Sequence, residues 1–126
     1  MACEIIWEER GILFKHTGTV TEQEVFEAND RVYGDKRFEE ITYQISDYTE
    51  VTDIQITPRG AKIIATLDKS SLRWIHSKMR MAIVTKNEMF RPLVNTYFEQ
   101  FKGTDLQGRI FETLDKAYEW VKSGNL

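Results

Sequence analysis

The stretch Tyr43-Gln44-Ile45-Ser46-Asp47-Tyr48-Thr49-Glu50-Val51-Thr52-Asp53-Ile54-Gln55-Ile56-Thr57-Pro58-Arg59-Gly60 reads as a strand, a polar turn and the opening of a helix. Tyr43, Ile45 and Asp47 alternate with Gln44, Ser46 and Tyr48, the period of two that suits a strand with one buried and one wet face. Thr49 to Asp53 is polar and is expected to end the strand. Thr57 followed by Pro58 then opens a helix: the hydroxyl accepts an orphan backbone N–H, and proline gives up nothing by lacking one at the first helical position.

Upstream, Cys3 to Glu8 and Ile12 to Thr17 read as strands joined at Arg10-Gly11. His16 falls on the more apolar face of the second, where a partly buried histidine with a hydrogen-bond partner is expected. His76, the other histidine, has no ligand spacing with it. Thr21 and Glu24 form a capping box, and Val25, Phe26, Ala28, Val32 and Tyr33 recur at helical spacing up to Gly34. Asp35 to Ile41 is a charged connection.

Downstream, Ile63, Ile64, Leu67, Ser71, Trp74 and Ile75 keep a helical period that is weakest at Ser70-Ser71. Met79 to Thr85 is a strand apolar on both faces, hence internal. Asn87 is expected to cap a third helix with the stripe Phe90, Leu93, Val94, Tyr97, Phe98 and Phe101, which reads as core. Gly103 to Gly108 is a loop and Arg109 to Glu112 a last strand. Thr113 caps a final helix that ends before Gly124. The order is ββαβαβαβα over residues 1–126, one domain. Lys15, Thr17, Gln44 and Ser46 are expected together on a polar sheet face opposite Phe14 and Ile45, which predicts an α/β fold with a five-stranded mixed sheet and four helices mainly on one face.

A chain of 126 residues can bury a core without metal or disulfide staples, and its lone Cys3 excludes an internal disulfide and implies a reducing cytoplasm. Met81 to Val84 is its longest aliphatic run, far too short to span a membrane, and the acidic start through Glu4, Glu8 and Glu9 lacks a signal peptide's basic end. A net charge of −3 argues against nucleic-acid binding. The charge is divided, however: Thr21 to Glu50 carries −6, Pro58 to Arg91 carries +6. That division is either two solvated helix faces or a bipolar surface for a partner or a second copy. With Ile5, Ile6 and Trp7 on a strand expected at the sheet edge, it predicts a homodimer.

The chain resembles the STAS domains (sulfate transporter and anti-sigma-factor antagonist), particularly the bacterial STAS/Sec14-like proteins related to the sporulation anti-sigma-factor antagonist. The resemblance rests on Tyr43 to Tyr48, Ile56-Thr57-Pro58, Met81 to Thr85, and Arg109 to Thr113 with Ala117 and Trp120. It implies a β-α superhelical sheet with helices stacked on one side, and a regulatory role through protein contacts. Family regulators carry Asp-Ser-Ser-Gly, with a phosphorylated serine, at the start of the second helix. Here Thr57-Pro58-Arg59-Gly60 stands there, keeping the glycine and placing Arg59 at the phosphoacceptor position. Related Sec14-like members imply an apolar ligand cavity as an alternative.

Phosphate loops, dinucleotide fingerprints, nucleophile elbows and metalloprotease or calcium motifs are all missing, so a non-enzymatic module without cofactor or metal is expected ahead of an enzyme of unknown reaction. A small anionic ligand would be sought at two strand-to-helix junctions: Asp47, Thr57 and Arg59 at the first, Lys86, Asn87 and Arg91 at the second. Asp47 and Arg59 are expected to lie close together. The bland alternative has Thr57 and Asn87 merely capping helices.

Overall fold

A computed structural model describes residues 3–75 and 78–123; His76 and Gly124, both read from sequence above, lie outside the described residues. Five strands form one sheet in the order β1-β2-β3-β4-β5: β1 (Cys3–Glu8), β2 (Gly11–Thr21), β3 (Tyr43–Gln55), β4 (Met79–Val84) and β5 (Leu106–Phe111). The first pair is antiparallel and the rest are parallel. Helices α1 (Glu22–Tyr33), α2 (Pro58–Ser71), α3 (Arg91–Glu99) and α4 (Leu114–Val121) connect or follow them. The expected element order and mixed sheet are therefore present.

The caps account for most of the boundaries. Thr21 accepts the Glu24 amide and donates to the Glu24 carboxylate, both at 3.2 Å. Thr57 accepts the Gly60 amide at 3.0 Å, and Thr113 accepts that of Lys116 at 3.2 Å. At Ser71, where the apolar period weakens, α2 tightens into a 3₁₀ turn over Leu72–Trp74.

Three helices cover one sheet face. Val25, Ala28 and Val32 of α1, Ile64 and Ala65 of α2, and Val94 and Tyr97 of α3 pack on Ile12, Phe14, Met81 and Ile83. On the other face α4 packs Ala117 and Val121 against Leu13, Ile45, Ala82 and Val84. Glu8 fastens that side by accepting hydrogen bonds from the Tyr43 and Tyr118 hydroxyls, each at 2.6 Å.

Several local expectations are corrected. Strand β3 does not stop at Tyr48 but runs on to Gln55, past the end of β4, as a parallel ribbon with the far half of β2. Its polar residues continue the strand because Val51 and Ile54 among them still pack on the core while Thr49, Glu50, Thr52 and Asp53 are all exposed. Phe14 and Ile45 lie on opposite faces, since Phe14 pairs with Ser46 and Leu13 with Ile45. Gln44 and Ser46 accordingly point under the three helices, while Lys15 shares the α4 face, so the polar row is divided between the two sides. Helix α3 begins at Arg91, and Asn87 instead closes a turn by accepting the Met89 amide at 2.9 Å. Strand β5 begins at Leu106, inside the expected loop.

Gly108 of β5 sits directly beneath α3, and a Cβ there would overlap the Phe98 ring. Gly108→Ala is expected to lower unfolding free energy by about 1–3 kcal/mol, read from urea denaturation, with Phe98→Ala in the same background relieving part of the overlap; an unchanged midpoint would show that α3 is free to shift.

Candidate functional site

Beneath the three helices, the buried sheet face is not filled. A cavity of about 60 Å³ lies between β2, β3 and β4 and helices α1 to α3. Most of its wall is apolar, from Phe14, Ile64, Met81, Ile83, Phe90 and Val94, and its half-exposed apolar members are Ile56 and Leu93. Into this wall the alternation of β2 and β3 inserts His16, Gln44, Ser46 and Tyr48, and α2 contributes Asp68.

His16 is 3% exposed, and its Nδ1 has no hydrogen-bond partner among the described residues. This overturns the expectation of a satisfied histidine. Its ring stacks on Tyr48 at 4.5 Å between centroids. Burial drives its pKa down to about 4, against a smaller opposite pull from Asp47, so the imidazole is neutral near pH 7. The side chains of Gln44 and Ser46 likewise make no hydrogen bond to another described residue.

Asp68 is the opposite case. Its carboxylate accepts from Asn29 Nδ2 at 2.8 Å, from the Tyr97 hydroxyl at 2.6 Å and from the Tyr33 hydroxyl. One buried acid thus joins α1, α2 and α3. Burial raises its pKa to about 6, a rise partly offset by the two tyrosine hydrogen bonds. The same surroundings raise the Tyr33 and Tyr97 hydroxyls, burial first and the Asp68 charge second. Cys3, buried at the start of β1, is pushed up to about 11 mainly by desolvation and stays a thiol.

The six residues expected at the strand-to-helix junctions are not gathered into one site. Asp47 is buried on the α4 side, where it accepts the Thr49 amide at 2.9 Å, while Arg59 is exposed on α2 across the sheet. Their expected proximity fails because β3 continues eight residues beyond Asp47. Thr57 caps α2, but Glu22 already sits at that helix terminus, accepting from the Thr57 amide at 2.8 Å and hydroxyl at 3.0 Å. Gly60 leaves the room its carboxylate occupies. An internal anion therefore takes the place proposed for an external one. Lys86 is exposed, Asn87 is spent on its own turn, and Arg91 pairs with Glu88 at 3.4 Å.

Solved structures share this architecture. The unphosphorylated anti-sigma factor antagonist SpoIIAA superposes with a TM-score of 0.65 over 98% of this chain and 100% of its own, at 10% identity. An uncharacterized protein of the DUF3478 family with a SpoIIAA-like fold, from Shewanella loihica PV-4, gives 0.59 over 95% and 92%, at 20% identity. An anti-sigma factor antagonist from Mycobacterium paratuberculosis gives 0.58 over 96% and 93%, at 14% identity. No family model and no curated protein sequence matches the chain. The SpoIIAA-like fold implied by the STAS resemblance is thus established by structure.

The two titrating groups of the cavity oppose each other. Asp68 is raised from 3.8 to about 6, so over that range the folded protein holds a proton the unfolded chain has lost, and stability falls as pH rises. His16 is lowered from 6.5 to about 4, so its contribution is full above pH 6.5 and is lost as pH falls towards 4. Each displacement is worth ~3 kcal/mol. Relative to wild type, Asp68→Asn is expected to make stability rise more steeply from pH 4 to 6.5, and His16→Gln to make it fall. Urea midpoints across that range check both slopes, and identical profiles for the two variants would contradict this assignment.

Proposed function

We propose that the protein is a non-enzymatic module that works by binding: the cavity takes a small neutral molecule, mostly apolar with one group that both donates and accepts hydrogen bonds, and the outer surface takes a protein partner. The observation that carries this reading is the unpartnered Nδ1 of buried His16, facing a cavity in which Gln44 and Ser46 are also uncommitted. A buried polar atom without a partner costs about 1–3 kcal/mol. A ligand that hydrogen-bonds to it recovers that cost. The cavity's size suits a molecule of a few heavy atoms, and a larger guest requires α2 and α3 to part.

Neutrality follows from the wall. His16 is uncharged near pH 7, and the Asp68 carboxylate is already engaged by three donors. That disposition also argues against acid–base catalysis, which needs an acid and a base free to exchange protons with a substrate.

The likeness to anti-sigma factor antagonists supports the regulatory half of the proposal, a module acting through a protein partner. Phosphorylation of Thr57 is not part of it. That hydroxyl both donates to Glu22 and accepts from Gly60, and a phosphate there would meet the Glu22 carboxylate. A buried, protonated cysteine suits a cytoplasmic location.

Native mass spectrometry of freshly purified protein, paired with amide NMR titration by small neutral fragments, tests the ligand. A retained or titrating molecule should perturb β2, β3 and α2 around the cavity and lose at least ~10-fold in affinity in Ser46→Val or His16→Phe, the loss of one hydrogen bond in a buried site. Polypeptide mass alone, with no fragment shifting those amides, would leave the cavity to water and end the proposal.

A further inference from the structure

Among the described residues four large apolar side chains are exposed, and three of them follow one line on α2 and the turn after it: Ile63 at 44%, Leu67 at 50% and Trp74 at 54%. With Ser70 between the last two, they recur at the alternating four- and three-residue spacing by which one helix seats against another. None of them serves the core, because α2 turns Ala61, Ile64, Ala65 and Asp68 inward. Leu67 and Trp74 form one wall of a groove of about 380 Å³, and α1 forms the other through Phe26, Asp30 and Tyr33.

Charge indicates what fits there. The outer face of α2 and its turn exposes Lys62, Lys69 and Arg73, with no exposed acid between Pro58 and Trp74. On the facing side α1 lines the groove with exposed Asp30, and Glu27, one turn before it, is exposed as well. An anionic lipid surface or an acidic helix drawn to the bases would be pressed against the acids, and a basic segment would meet the reverse conflict. A surface that carries both signs side by side is satisfied by its own copy turned through a two-fold axis. We propose that this groove is a self-association face, in which α2 of each copy lies in the α1–α2 groove of the other, Leu67 and Trp74 are buried, and Arg73 of one copy faces Asp30 of the other.

This moves self-association away from the β1 edge, where the sequence alone placed it. At that edge Ile5 and Trp7 pack on the core, and the Arg37 guanidinium covers the Trp7 ring at 4.4 Å. The groove also stands apart from the ligand reading, so either can fail alone.

Sedimentation velocity over a concentration series is the measurement. Wild type should dimerise, and Leu67→Glu should raise the dimer Kd by at least ~10-fold, as expected for charge placed at a buried interface centre. Asp30→Arg and Arg73→Asp, both at exposed positions, should each weaken the homodimer by placing like charges opposite each other. Mixed in equal amounts they should associate again, since each copy then offers the complement of the other; a charge pair within one chain gives no such rescue. A wild type that stays monomeric, a dimer indifferent to Leu67→Glu, or a mixture no tighter than its components would each overturn the proposal.

Discussion

The arrangement of this protein depends on one buried carboxylate. Asp68 is surrounded by donors from α1 and α3 while itself belonging to α2, so the three helices on one sheet face are joined at a point rather than only packed side by side. Burying a carboxylate is costly, and three directed hydrogen bonds are what make it tolerable. Removing one donor leaves the charge undersatisfied, which is why such a group constrains its neighbours more strongly than an apolar residue of the same size. The helices cannot slide to close the remaining space without breaking this junction. The cavity beside it is the geometric result.

The same junction explains the difference between the two polar groups in the cavity wall. Asp68 meets Asn29, Tyr33 and Tyr97, all on helices, and shares the cavity wall with Asn29 and Tyr97. His16 projects from the sheet between aromatic rings, Phe14 and Tyr48, which offer stacking but no hydrogen bond to Nδ1. Asp68 has three donors and His16 Nδ1 has no partner among the described residues, and burial displaces their protonation in opposite directions.

Much of the fold was legible in the sequence because it is written in local signals. Thr21, Thr57 and Thr113 mark helix starts by chemistry that needs no knowledge of the rest of the chain, and the apolar run of β4 marks an inner strand. What was not legible depended on distant neighbours. The polar continuation of β3 looks like a turn until β2 is seen to extend beside it. Gln44 and Ser46 look like an open sheet face until the register places them under helices. Asp68 did leave a trace: it stands in phase with Ala61, Ile64 and Ala65 on the buried side of α2, an acid at a core position. Within a segment of net charge +6 that acid is easily taken for one more surface charge. The junction residues Thr57 and Asn87 were read as caps or ligands, and both spend their side chains locally; nothing in the sequence shows Glu22 arriving from the start of another helix to take the terminus.

Strand β3 also has to leave the sheet safely. Beyond Asp47 it keeps β2 on one side and has lost β4 on the other, so a length of backbone stands open to any extended chain that could zip onto it. Asp47 occupies the amide of Thr49 where this length begins, two register shifts against β2 distort the line that follows, and exposed Glu50 and Asp53 stand along it. The residue that the sequence suggested as part of an anion site thus lies at the start of a guarded margin, where the protein's concern is not what to capture but what to refuse: polymerisation through its own longest strand.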